Sequence, residues 1–571
     1  MEQKKWSVSG KDILGYILLG ISVIMLGRSL MLCFSNDIWY DELFTVGMIE
    51  HSYGELVGFT ARDVHPPLYY MITKLVVDLW KMLSAGAGTV VIAKVVSVLP
   101  YFLLLVYSVT FIRRRFSIFA GGLFLFCSIA MPQLSGYTVE VRMYSWALLF
   151  VTAAFLHAYG TVHAGPCVNA SEDRTDGRRY VRVQKLHAAA LVCYGLAAAY
   201  TQYFACVAVV MVYLYVLLVL IRRDRGRIRE WIIWVIVSIA GYAPWLLSLY
   251  RQITTVRVGY WILPLSWRTF GGCIKFLMKP AFSNDGLNTG LAVVFFIIYV
   301  SVFIYEGRKL YYYRREKHIN SNRTMFFGGN AERFGFMTAG VSVLAGVALF
   351  GFAASMLIRP VFVYRYMIPA MGCFWLAFAA GVDDIGTFFS GRISGGDDIG
   401  RRREEEVTRT GRGKRVIRTI PACFILIFTA AVGLRDYRAF MGEEEYKIRL
   451  MKETEEALSV IGPEDTIIYN FDQVQAVTSY YLPEETDSRL WRGTPEELVQ
   501  DIIRPYGSVE ETQQIRALCG QGGNVWFIGS FNSRDDIVEE WAAEGVKAEE
   551  TGSYLLERYW FNLYKISLER P

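Results

Sequence analysis

Apolar residues along this chain gather in long blocks, each near the roughly 20 residues a helix needs to cross a bilayer, with short polar stretches between them. They do not alternate as on a surface strand or recur as on a surface helix. Eleven such blocks can be drawn, at 13–34, 90–111, 117–134, 143–161, 187–201, 203–221, 231–250, 289–305, 336–357, 361–381 and 418–434. The division of 187–221 into two rests on Thr201-Gln202-Tyr203, which interrupts the apolar run. The expected fold is therefore a polytopic α-helical membrane protein with about eleven spans.

Basic residues order these blocks in space. Lys4, Lys5 and Lys11 precede the first block, which lacks a small-residue cleavage site and so reads as a retained anchor. With that end cytoplasmic, every alternate loop should be basic. They are: Arg113-Arg114-Arg115, then Arg174 to Lys185, Arg222 to Arg229, Arg308 to Lys317, and Arg401 to Arg415. A multi-pass protein of the cytoplasmic membrane is expected, with the first loop (35–89), the Glu140/Arg142 segment and the C-terminal tail outside.

Composition adds little to that picture except to exclude. The 571 residues are 53% hydrophobic, with a mean hydropathy of +0.30. The net charge of +6 sits in short inter-span loops, so it does not mark a nucleic-acid binder. Nine cysteines are scattered, without a CxxC pair or metal-ligand spacing, and read as small apolar side chains.

Beyond 434 the pattern changes to that of a soluble domain. Helix is expected at 443–458, strand at 465–469, helices at 476–482 and 495–503, strand at 524–529, helix at 534–543 and strand at 559–566. The division is thus a membrane domain, 1–434, and a small extracytoplasmic α/β domain, 435–571. Neither a glycine-rich phosphate loop nor an internal repeat is present, and 391–417 reads as a solvated loop. Within the first loop, 68–83 carries Lys74, Asp78 and Lys81 on an apolar background, the pattern of a helix lying in the interface.

Two clusters in that loop carry chemistry. Asp41 and Glu42 sit among Trp39, Tyr40 and Phe44, just past the first span, where charge is expensive. Exposed acid pairs are ordinarily just solvated, but the aromatic setting argues for a site. Asp63 and His65 follow, ahead of Pro66-Pro67 and Tyr69-Tyr70, where the histidine either braces a turn or serves that site. Glu140 and Arg142 stand at a span entrance, either paired with each other or at the site. Arg359 and Arg365 lie at outer span ends, where snorkelling is the bland alternative. An enzyme on this face has no nucleotide-sugar supply, so an activated group must arrive on a lipid, most plausibly a polyprenyl phosphate. Its displacement needs a base, for which Asp41 is suited, and cations such as Arg142, Arg359 and Arg365 to hold the leaving phosphate.

The motifs Trp39-Tyr-Asp-Glu42, Asp63-Val-His-Pro-Pro-Leu-Tyr-Tyr70 and Glu140-Val-Arg-Met-Tyr144 resemble the GT-C glycosyltransferases of the protein O-mannosyltransferase and aminoarabinose-transferase type. The resemblance covers roughly residues 10–435 and is strongest over the first 150. It implies an inverting transfer from a polyprenyl-phosphate sugar, with Asp41 as base, Glu42 beside it, Asp63 at the second acidic position of the first loop and Arg142 as the span-entrance arginine; Asp63, His65, Glu140, Arg142, Tyr144, Arg359 and Arg365 are the candidates for binding substrate. It implies no required cofactor; a divalent ion on Asp41, Glu42, Asp63 and His65 is a minor alternative. The absence of a β-trefoil insert leaves lipid, glycan, cell-wall polymer and protein acceptors open. Two rivals remain: a transporter or flippase of lipid-linked glycans, disfavoured because no repeat is visible, and a non-catalytic envelope assembly or sensor protein.

Overall fold

A computed structural model describes residues 9–83, 86, 88–163, 174–258, 262, 264–319, 329–385, 401–520, 523–556 and 558–569. The chain packs into two compact units, each assembled from distant pieces: Met1–Ser29, Val98–Thr138 and Met143–Phe440 in one, Leu30–Ser97, Val139–Arg142 and Met441–Pro571 in the other.

Among the described residues, eight helices are long and apolar enough to cross a membrane: Gly10–Leu32, Thr89–Arg115, Tyr144–His163, Tyr203–Arg223, Arg225–Thr255, Asp285–Tyr312, Ala331–Leu357 and Tyr364–Ile385. The protein is thus a multi-pass membrane protein. The other three expected spans fall on different elements. The segment 117–134 forms the short helix Ile118–Ala130, every residue of which is buried. Small residues let it pack tightly: a Cβ on Gly122 would collide with the Gly15 carbonyl oxygen. The segment 187–201 is the end of helix Arg174–Ala199, and 418–434 lies inside the 58-residue helix Arg401–Leu458. The break at Thr201 is real: the next helix starts at Tyr203, its N-terminus capped by the Gln202 side chain accepting from Ala205 N at 2.8 Å. The loop expected at 391–417 is helix from Arg401, in keeping with its arginine- and glutamate-rich start; 391–400 lie outside the described residues.

In the second unit, the tail folds into a six-stranded sheet, β1 (Thr466–Tyr469), β2 (Asp487–Trp491), β3 (Val509–Thr512), β4 (Val525–Ser530), β5 (Val546–Leu556) and β6 (Tyr559–Leu568), ordered β3-β2-β1-β4-β6-β5. The first four strands run parallel, and β6 and β5 add an antiparallel hairpin. β1 and β4, buried throughout, read as apolar runs because both sheet faces are covered. Ile468, Phe527, Trp541, Trp491 and Ile566 form the core beneath them. The helix expected at 476–482 begins earlier, as Asp472–Ser479, and the others are Glu497–Ile503 and Ser533–Ala543.

The first loop in the same unit is helical: Tyr40–Glu50, Tyr53–Arg62 and Leu68–Leu83. The last buries Tyr69, Tyr70, Thr73, Lys74 and Val77, one face at helical spacing.

Candidate functional site

The helix Tyr40–Glu50 starts where it does because Glu42, its third residue, reaches back to accept the Trp39 N–H at 3.3 Å. Two acids in the first turn also suit the positive end of the helix dipole. Their fates then diverge. Glu42 is buried and its other oxygen accepts the Val141 N–H at 2.8 Å, while Thr45 donates to the Val141 carbonyl at 2.9 Å. Segment 139–142 is thus clamped along the helix. Burial pushes the Glu42 carboxyl up to about 7, with Lys94 and the Val141 bond pulling against it.

That clamp delivers Arg142. Its guanidinium donates to the Asp41 carbonyl at 3.0 Å and stands 3.9 Å from the Asp41 carboxylate, which keeps 21% of its side-chain surface exposed. Asp63, at the end of helix Tyr53–Arg62, pairs with His65 Nδ1 at 2.9 Å. Burial drives the Asp63 carboxyl upward, but His65, the Val64 N–H and Arg142 outweigh it and hold it below the usual range. Tyr70 lies in the field of Arg142, Asp63 and Asp41, and burial pushes its phenol well up. Asp41, Asp63, His65, Tyr70 and Arg142 therefore share one locality, with Glu42 behind it. Glu140 is half-buried beside Glu42, and its carbonyl accepts the Arg142 N–H.

Three expected site residues belong to the first unit. Tyr144 begins helix Tyr144–His163, with Arg365 over its ring at 6.0 Å. Arg365 lies in the turn Tyr364–Met367, and Arg359 lies just beyond helix Gly329–Leu357.

Sequence reasoning missed Lys94, which makes a fully buried pair with Asp37 at 2.7 Å and donates to Ser35. A lysine inside an apparent span was the signal. It also missed the grip of the sheet domain on the first loop. Tyr481 donates to the Asn36 carbonyl and accepts from Ile38 N, both at 3.0 Å. His51 Nε2 lies 3.0 Å from the Ile502 carbonyl, and a Cβ on Gly47 would stand 2.8 Å from the same oxygen. The Arg558 guanidinium carbon stands over the Trp39 ring, 3.6 Å from its centre.

Each Glu42 carboxylate oxygen accepts from a backbone N–H, of Trp39 and of Val141. Among the described residues no group of three or more His, Cys, Asp or Glu side chains is arranged to hold a metal ion. What the arrangement offers is a partly exposed carboxylate beside a buried guanidinium, a pairing able to take a proton next to a stabilised negative charge.

No family model and no curated sequence matches this chain. Solved structures do. ArnT from Cupriavidus metallidurans in the apo state is 14% identical over 97% of this chain and 98% of its own, with a TM-score of 0.52. The same protein bound to undecaprenyl phosphate is 14% identical over 97% and 99%, with a TM-score of 0.50. The chain thus shares the fold of ArnT along nearly its whole length, the fold that the motif resemblance implies.

Proposed function

We propose that this protein is an integral membrane glycosyltransferase that moves a sugar from a polyprenyl-phosphate donor to an extracytoplasmic acceptor with inversion. The observation that carries the reading is the Asp41–Arg142 pair at the start of helix Tyr40–Glu50, on a chain with the fold of a protein that binds undecaprenyl phosphate. The Asp41 carboxylate takes the proton of the acceptor hydroxyl. The acceptor oxygen bonds to the anomeric carbon from the opposite face as the bond from that carbon to the phosphate oxygen breaks, releasing polyprenyl phosphate. Arg142 holds the Asp41 backbone in place through its bond to the Asp41 carbonyl, and adds positive charge where the phosphate leaves. Glu42 is a positioning residue, and Asp63 with His65 orients the sugar or the acceptor. The active site faces outward from the cytoplasmic membrane, by the charge asymmetry of the loops.

Mass spectrometry of lipid-linked sugars and envelope glycans tests this in cells carrying wild type, Asp41→Asn or no protein. A polyprenyl-phosphate sugar should accumulate and one glycan residue should vanish in both the mutant and the null. A normal glycan profile with Asp41→Asn refutes catalysis by that acid and favours a transporter.

A further inference from the structure

The parallel part of the sheet has a topological switch point. From β1 the chain goes one way to β2, and its other neighbour is β4, parallel to it. In such sheets ligands bind in the crevice outside the carboxyl ends of the two strands that diverge. Here β1 ends at Tyr469 and β4 at Ser530. Asn470 ties the two exits together: its amide donates to the Ser530 carbonyl at 2.8 Å and its oxygen accepts from Ser530 N at 2.8 Å. The Ser530 hydroxyl is buried at this floor with no partner among the described residues.

An aromatic row leads from the crevice. Phe531 is 58% exposed and holds a left-handed φ of 58°. Its ring meets Phe471 edge-on at 4.9 Å, and Phe471 meets Tyr559 at 5.8 Å. Tyr559 donates to Gln473 at 2.6 Å, and its neighbour Arg558 lies on Trp39, two residues from Asp41. The row therefore joins the switch-point crevice to the start of the helix that bears Asp41.

We propose that this crevice and row bind the acceptor, and that the acceptor is an uncharged, hydroxyl-rich glycan whose rings lie along Phe531, Phe471 and Tyr559. The inference rests on the glycosyltransferase reading and names the acceptor class for that site. Sugar rings present apolar faces to aromatic rings and hydroxyls to the amide and carboxylate groups between them. Asp472 and Glu496, which both act on Tyr40 together with Asp41, disfavour an anionic polymer. An acyl chain would find its path interrupted by Asp472 and Gln473.

The test uses the full-length protein in nanodiscs with the polyprenyl-phosphate sugar that accumulates in null cells. Phe531→Ala should lower glycan transfer in cells by roughly three- to tenfold relative to donor hydrolysis by water, and Phe531→Trp should restore it. Equal transfer by wild type and Phe531→Ala overturns the inference, as does a parallel fall in donor hydrolysis. No donor turnover by wild type refutes the transferase reading itself. A photoreactive benzophenone amino acid at position 531 then reads the acceptor class directly. A hexose-rich adduct supports the glycan; a peptide adduct, an acyl-lipid adduct or no adduct overturns it.

Discussion

Two stretches a few residues apart, the approach at 35–38 and the first turn of helix Tyr40–Glu50, each hold a carboxylate paired with a cation, and the pairs differ in kind. Asp37 and Lys94 meet at 2.7 Å with 5% of each side chain exposed. Asp41 and Arg142 stand 3.9 Å apart, and Asp41 keeps 21% exposure. A closed, dry pair has no room for a substrate, whereas a looser pair that is dry on the cation side and wet on the acid side does. Structural charge and chemical charge are told apart by geometry, not by residue type.

The largest effect should come from the open pair. Asp41→Asn keeps the shape and the bond from Arg142 to the backbone carbonyl but removes the base. Transfer should fall by about 10²- to 10⁴-fold, with the melting temperature in detergent unchanged. A fall in activity matched by a loss of folded protein would place Asp41 with the structural pair instead.

The closed pair should fail the opposite way. Lys94→Met leaves the Asp37 charge buried beside an apolar chain, a cost of about 3–5 kcal/mol. Thermal unfolding of the purified protein should show it, and Asp37→Asn in the same chain should recover most of the loss. No recovery would mean that Lys94 answers chiefly to Ser35 and its other neighbours.

What could be read beforehand follows the same line. Asp41, Asp63, His65 and Arg142 were legible as one candidate cluster because ionisable groups among aromatic residues at a membrane exit are uncommon, and the structure brings them into one locality. Glu42 was legible as a residue but not in its role: neighbours in sequence point to different sides of a helix, and only the fold shows that Glu42 points to Val141. Lys94 was hidden in an apolar run counted as a span. In the tail, β1 and β4 stood out as buried apolar runs, while β2, β3 and β5 did not. Asp487–Trp491 and Val509–Thr512 are short and charged, lying at or next to the sheet edge. Val546–Leu556 is irregular in register near Gly552 and largely solvent-facing. Edge strands are specified by their neighbours more than by their own pattern.

Glu42→Gln sharpens the comparison from between the two pairs. The amide has one acceptor oxygen for two backbone N–H groups, so one of them faces an NH2, at a cost of about 1–3 kcal/mol. The pH signature is specific. The Glu42 carboxyl is raised in the folded state to about 7, so the folded protein binds the extra proton. Its relative stabilisation is complete below the ordinary glutamate range and is lost as pH rises through about 7. Wild type should therefore melt at progressively lower temperature from pH 5 to 8, and Glu42→Gln should flatten that slope. An unchanged slope would assign the pH dependence to other groups.

The smallest change probes the clamp without touching a charge. Thr45→Val keeps the shape and burial of the side chain but removes its bond to the Val141 carbonyl, leaving a buried acceptor short of one donor. The expected cost is about 1 kcal/mol, seen as a melting temperature lower by a few degrees. Because Glu42 still holds the Val141 N–H, segment 139–142 should loosen rather than detach. Arg142 would then fluctuate against Asp41, so turnover should fall modestly with donor KM unchanged. A stability loss with unchanged turnover would show that the Thr45 bond serves packing alone, and that Glu42 by itself sets the distance between Arg142 and the base.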